Sequence, residues 1–333
     1  MLKRSRVFVI DAIHAQRATD LGIESEILSE FADVVPLWMS GPDAFSSEVF
    51  SADALILSPF PRLSGDILRA FNRLQVIVRL GVCYDNVDID AARELGIPVC
   101  NVPDYGTEEV ADHALLLTLA LQRNLYRALN AVRGGSWSWH VAEPVHRLRG
   151  QRFGIVGCGR IGTAAGLRAK AFGFEVQFFD PYVASGYEKA IGVKRCSTLD
   201  QLLQTSDVVS LHCPLNTETR GLLSFARMQT MKRGAFLVNT ARGPLIPEPD
   251  LLQVLGTHHL AGIALDVLDR EPEHSPKLYE FPNCLLTPHI AFYSAEALVD
   301  LRVGAARSVL RCLQGERPVN VVNGVIKSAQ SLD

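Results

Sequence analysis

A cysteine framework is missing from this chain. The seven cysteines (Cys83, Cys100, Cys158, Cys196, Cys213, Cys284, Cys312) are scattered and odd in number, with no CxxC pair. This argues against a disulfide scaffold or a zinc site, and for reduced thiols in a cytoplasmic protein without a metal. No apolar run approaches the roughly 18 residues of a membrane span. Val7-Phe-Val-Ile10, behind a basic start, is too short for a signal-peptide core and reads as a first strand. A dominant charge is missing too. Thirty-three Lys+Arg against 36 Asp+Glu leave a net −3, and no basic run makes an electrostatic case for nucleic acid or a membrane surface. Internal repeats and low-complexity tracts are absent.

What remains is an ordinary globular composition, 48% hydrophobic and 21% charged, in 333 residues. That length accommodates two domains with a core each. Short apolar runs (7–10, 33–35, 54–57, 74–78 and 97–100) alternate with helical patterns and predict a small parallel α/β domain. Gly106-Thr107-Glu108-Glu109 reads as a helix start capped by Thr107, and the apolar helix through Leu121 is expected to be buried. Residues 132–149, with Gly134, Gly135, Trp137, Trp139 and Pro144, read as an extended arm that could pack on a second subunit. Alternation resumes over 207–211, 234–238 and 262–265. A last helix is expected at about 294–313, before Gly315.

The most informative stretch is 153–180. Phe153-Gly-Ile-Val156 reads as a buried strand and runs into Gly157-Cys-Gly-Arg-Ile-Gly162, followed by an alanine-rich helix. A second strand, Phe174–Phe179, closes on Asp180. A bare GxGxxG is weak, but strand before, helix after and acid beyond are the context dinucleotide binding requires. Gly157 makes the turn, Gly159 admits a pyrophosphate, and Gly162 lets helix pack on strand, with the helix N-terminus facing the phosphates. Asp180 suits the ribose hydroxyls and repels a 2′-phosphate. No arginine follows in Pro181-Tyr-Val183, so NAD is expected over NADP.

Three residues stand after strand ends downstream, where ligands of open α/β sheets bind. Arg242 follows Val238-Asn-Thr-Ala241, Glu271 stands in Asp269-Arg-Glu-Pro272, and His289 follows Leu285-Leu-Thr-Pro288. Reduction of a 2-keto acid needs a cation for the carboxylate or carbonyl oxygen, a proton donor for the developing alkoxide, and a group that sustains the donor's acid form. Arginine, histidine and glutamate fill those roles.

These motifs, with Leu211-His-Cys-Pro-Leu-Asn216 and Ala264-Leu-Asp266, resemble the D-isomer-specific 2-hydroxyacid dehydrogenases along nearly the whole chain. Within that family the chain is most similar to the C-terminal binding protein branch, on Leu167–Phe174, Asp180-Pro-Tyr182 and 234–243. The resemblance implies a two-domain α/β fold, with a central Rossmann NAD-binding domain (103–294) inserted in a flavodoxin-like substrate domain (1–102 plus 295–333). It also implies a homodimer and NAD-dependent interconversion of a small 2-keto acid and its D-2-hydroxy acid. His289 would be the acid/base, Glu271 its partner and Arg242 the substrate anchor. Arg160, Ile161, Cys213, Pro214, Thr219, Thr240 and Ala241 would line the cofactor, and Asp266 would hold the nicotinamide carboxamide. Arg79, Gly81, Val82, Cys83 and Phe292 would bound the substrate. Cys83, Cys158 and Cys213 would lie near the site, so thiol modification is expected to inhibit.

The chain departs from that branch at Phe292, where the branch has tryptophan, and at Val82, where it has serine. The chain also ends at Asp333, without the long tail of the animal corepressors. An NAD-sensing binding platform like those corepressors is the alternative reading, which the missing tail weakens. A formate dehydrogenase would pair its histidine with glutamine, against Glu271.

Overall fold

A computed structural model describes residues 4–11, 21–39, 44–271 and 273–326. The ends of the outer domain expected from the sequence, residues 1–3 and 327–333, lie outside the described residues, as does Pro272. The chain divides into two compact units, Met1–Tyr105 with Ser294–Asp333, and Gly106–Tyr293.

The first unit holds five strands: β1 (Ser5–Asp11), β2 (Ala32–Trp38), β3 (Ala54–Leu57), β4 (Val76–Arg79) and β5 (Val99–Cys100). They pair in parallel in the order β2-β1-β3-β4-β5, the flavodoxin-like order. Every residue of β3 and β4 is buried, as strands covered on both faces should be, and all but Arg79 are apolar. Successive side chains take opposite faces. Phe8, Ile10, Leu55, Leu57 and Ile77 join one core, and Val7, Val9, Ala54, Ile56, Val76 and Val78 the other.

The second of these cores is closed by the helix Ala295–Leu313 through Leu301, Ala305, Val309 and Cys312, which share one helical face. Ser294 caps that helix, its Oγ accepting from Ala297 N at 2.9 Å. Arg302 donates through Nε to the buried carboxylate of Glu24 (2.8 Å), tying the helix to Gly22–Leu28. Breaking such a buried pair from one side leaves an uncompensated charge.

The second unit holds β6 (Arg152–Val156), β7 (Glu175–Phe179), β8 (Lys194–Arg195), β9 (Val208–Leu211), β10 (Phe236–Asn239), β11 (Gly262–Leu265) and β12 (Cys284–Leu286). All neighbours are parallel, in the order β12-β11-β10-β9-β6-β7-β8. This is a doubly wound Rossmann sheet, and its order reverses between β6 and β9, the switch point at which such sheets bind ligands.

Two local expectations are corrected. The helix Thr107–Gln122 has Gly106 at its cap position with no capping side chain, so Thr107 is its first residue. It is buried on one side only, through Val110, Ala114, Leu117 and Leu121, while Leu116 is 56% exposed. The apolar count alone hid that facing. The arm expected at 132–149 also carries more structure than expected: the helix Leu125–Arg133 runs into its first two residues, and a 3-10 turn forms at Trp139–Ala142. Asn124, with φ 48°, separates this helix from the preceding one.

Candidate active site

The glycine turn between β6 and the helix Arg160–Ala171 has a steric reason at two positions. Gly157 has φ 90°, and a Cβ there would lie 2.6 Å from Cys213 N. A Cβ on Gly162 would overlap the Gly157 carbonyl. A Cβ on Gly159 would meet nothing within 4 Å, so its openness is toward unfilled space. Arg160, exposed, and Ile161, half-buried, make the first helical turn.

Asp180, after β7, receives Cys158 N on Oδ2 (2.8 Å) and Tyr182 N and Val183 N on Oδ1 (2.9 and 3.2 Å). It therefore locks its own loop to the glycine turn and keeps spare acceptor capacity. The Tyr182 hydroxyl donates to Glu218, which brings a second carboxylate to this edge of the sheet. Sequence reasoning missed that acid because it belongs to the loop after β9. In the same loop Thr219 Oγ1 donates to the Pro214 carbonyl (2.6 Å), so Thr219 shapes the segment that starts at Cys213. The Thr240 hydroxyl is buried and has no hydrogen-bond partner among the described residues. An orphaned buried hydroxyl and an open glycine fit a dinucleotide with polar edges.

Arg242, Glu271 and His289 follow β10, β11 and β12, which are neighbours in the sheet. Asn239 fixes the first loop, Nδ2 donating to Arg242 O (2.9 Å) and Oδ1 accepting from Ala241 N (3.0 Å). Gly243 follows Arg242 because the Leu268 carbonyl occupies the space a Cβ would need. Glu271 Oε1 accepts from Leu268 N (2.7 Å), and Oε2 lies 2.6 Å from His289 Nδ1. Burial pushes the Glu271 carboxyl up, but the bond to His289, the charges of His289 and Arg242, and the Leu268 amide outweigh it and hold it below its usual value. His289 sits at φ 55°, and Phe292 meets its ring edge-on at 6.1 Å.

Asp266, 1% exposed, holds that turn. Its Oδ1 accepts from Thr287 Oγ1 (2.5 Å) and Ile290 N (3.0 Å), and its Oδ2 from Ala291 N (2.9 Å). His113, on the helix Thr107–Gln122, places Nε2 3.0 Å from Thr287 Oγ1. No sequence signal marked His113 or Thr287, because they meet only in the folded sheet.

In the other unit, β4 delivers the loop 80–86. Arg79 is buried, donates to Leu80 O (2.7 Å) and fills the space beside Gly81, whose φ is 137°. Asn101 Nδ2 donates to Val82 O (2.5 Å), and Asn86 Nδ2 to Pro61 O (2.8 Å), so two asparagines that sequence reasoning passed over fix this loop. Val82 and Cys83 are half-buried.

Residues 115–291 match the NAD-binding domain of the D-isomer specific 2-hydroxyacid dehydrogenases. The chain is 36% identical over 320 residues to C-terminal-binding protein 1 of Caenorhabditis elegans, covering 93% of this chain and 44% of that protein. It is 33% identical over 302 residues to D-3-phosphoglycerate dehydrogenase of Bacillus subtilis, covering 91% and 57%. The chain thus spans about half the length of the curated relatives it matches. The D-lactate dehydrogenase of Aquifex aeolicus, solved with NAD and lactic acid, superposes with a TM-score of 0.84 at 26% identity, over 94% of this chain and 96% of that one. The chain belongs to the D-isomer specific 2-hydroxyacid dehydrogenase family.

Proposed function

We propose that this member of the family interconverts a small 2-keto acid and its D-2-hydroxy acid, with NAD as the redox partner. The observation that carries the reading is the Glu271–His289 pair, 2.6 Å apart, with the Arg242 charge bearing on the same carboxylate. When bound, the nicotinamide supplies or accepts the hydride at C2 of the substrate. The protein's own part is proton transfer and orientation. With Nδ1 engaged by Glu271, Nε2 of His289 is the nitrogen that gives a proton to the carbonyl oxygen or takes one from the hydroxyl. Glu271 stabilises the charged ring and fixes its orientation. Arg242 offers a planar cation to the substrate's carboxylate or carbonyl oxygen. We assign Gly81, Val82 and Cys83, on the loop that Arg79 braces, to backbone recognition of substrate, and Phe292, edge-on to the His289 ring, to an apolar wall beside it.

On the cofactor side, the glycine turn and the first turn of Arg160–Ala171 would take the pyrophosphate, and Asp180 the ribose. Thr240, Ala241, Cys213 and Pro214 would line the dinucleotide. Asp266 keeps one acceptor direction on Oδ2 for a carboxamide N–H. Asp180 and Glu218 together disfavour a 2′-phosphate. Turnover of NADH against a panel of 2-keto acids, with the chirality of the product determined, tests the reading. An L-hydroxy product would contradict it.

We also propose a homodimer. Supporting it, Tyr126, Leu129, Val132, Trp137 and Trp139 are all at least 47% exposed, beside a groove of about 350 Å³ lined by Tyr126, Asn130, Val141 and Pro282. So large an apolar patch asks for a partner. Light scattering should give twice the chain mass, falling to one in Trp139→Glu. A cytoplasmic setting is supported by seven free cysteines, and no helix among the described residues is long and apolar enough to cross a membrane.

A further inference from the structure

We infer that His113 is a positioning residue for the reaction, acting through Thr287 and Asp266 on the turn that carries His289. The inference rests on the dehydrogenase reading for the word reaction, but the coupling itself rests on the hydrogen-bond chain alone.

Donors and acceptors along that chain can be counted. Asp266 is buried and acts only as an acceptor when ionised. Thr287 has one hydroxyl hydrogen, and at 2.5 Å from Asp266 Oδ1 that hydrogen points to the carboxylate. Thr287 Oγ1 must then accept from His113, so Nε2 of His113 carries a proton. Nε2 is also 3.6 Å from Asp266 Oδ1, which puts the imidazole beside the carboxylate as well as beside the hydroxyl.

Asp266 passes this anchoring on. Its two oxygens accept from Ile290 N and Ala291 N, the residues directly after His289. Its carbonyl accepts from His289 N at 2.9 Å. Thr287, Asp266 and the backbone therefore grip the turn on both sides of His289, which holds a left-handed φ of 55° that a histidine adopts only when its surroundings impose it. His113 comes from outside the sheet. It stands on the helix Thr107–Gln122 with its side chain 13% exposed. It therefore couples the orientation of that turn, and with it the direction of His289 Nε2, to the helix that covers β10 and β11.

Removing the donor leaves Thr287 Oγ1 short of a partner and loosens Asp266 without removing any group that touches substrate. Misplacement of a reacting group by about 1 Å can cost 10²-fold in rate. The test compares His113→Leu with His113→Gln, and Thr287→Val with Thr287→Ser. Each is measured by kcat, substrate KM, NADH affinity from fluorescence, thermal midpoint, and the ¹⁵N resonances of His289. The NMR readout needs no turnover.

Loss of about 10- to 100-fold in kcat in His113→Leu and Thr287→Val is expected, with NADH affinity held within a few-fold. His289 resonances should shift in both, and Gln and Ser should restore both signals. Unmoved His289 resonances with wild-type kcat in His113→Leu would overturn the inference. So would equal losses in Leu and Gln that follow the thermal midpoint. If the wild type turns over no 2-keto acid yet His113→Leu still shifts His289, the coupling stands and the dehydrogenase reading is the part that fails.

Discussion

Glu271 divides its carboxylate between the backbone and a base: Oε1 takes Leu268 N at 2.7 Å, and Oε2 faces His289 Nδ1 at 2.6 Å. The amide fixes the carboxylate and the carboxylate fixes the ring. Its charge matters as well as its hydrogen bond. Glu271→Gln keeps a group of the same shape but not the ion that stabilises an imidazolium, so kcat should fall about 100-fold, the lower end of the range for one positioned acid–base group. Substrate KM should change little. Steady-state kinetics with the wild type's best substrate checks this, and an unchanged kcat would show that orientation alone suffices.

The glycine turn separates steric from functional loss. Gly162→Ala forces a methyl into the Gly157 carbonyl, so it should lower the thermal midpoint, overpacking costing about 1–3 kcal/mol. Gly159→Ala meets open space and should leave the midpoint unchanged while weakening NADH binding. Calorimetry paired with a fluorescence titration distinguishes them. Equal destabilisation by both would contradict the assignment.

The cysteines correct an expectation. Cys158 and Cys213 are buried, and burial pushes both thiols up, Cys213 to about 12. Few of either are thiolate at neutral pH, so they should resist alkylation. Only Cys83, half-buried in the loop after β4, remains a candidate for inhibition by thiol reagents. Mass mapping after brief iodoacetamide treatment of the native protein should find Cys83 modified before Cys158 or Cys213.

His212 predicts an acid-side loss of stability. Burial lowers its folded value from 6.5 to about 4, while Nε2 meets Ser210 Oγ at 2.9 Å and Nδ1 is buried without a partner among the described residues. As pH falls from 6.5 toward 4 the unfolded chain takes up a proton that the folded ring refuses. This contribution to stability is therefore complete above 6.5 and is lost across that window. His212→Gln, which retains an amide at the Nε2 position, should flatten the thermal midpoint against pH between 4 and 6.5. The same slope in both proteins would contradict the assignment.

The parts of the fold and the site that could be read from the sequence are those set by short-range constraints. Gly157–Gly162 and Asp180 announce their unit because strand, turn, helix and acid follow one another directly. β3 and β4 announce themselves because both faces are covered and every residue but Arg79, the last of β4, is apolar. Arg242, Glu271 and His289 could be read as strand-end residues, but their proximity depends on β10, β11 and β12 being neighbours. His113 carried no signal, because its partner Thr287 lies 174 residues away and an unremarkable helix supplies it. The facing of Thr107–Gln122 was hidden for a similar reason, since the sheet and the helix Arg160–Ala171 against which it packs decide which leucines are covered.

If His289 is the acid/base of a hydride-transfer site, its loss must show in NADH oxidation by wild type and His289→Ala on the best 2-keto acid, with NADH affinity measured in parallel. kcat should fall about 10²- to 10⁴-fold in His289→Ala with NADH affinity nearly unchanged. Wild-type turnover in His289→Ala would contradict it. So would tight NADH binding with no turnover of any 2-keto acid by the wild type, a result that would favour an NAD-sensing binding platform.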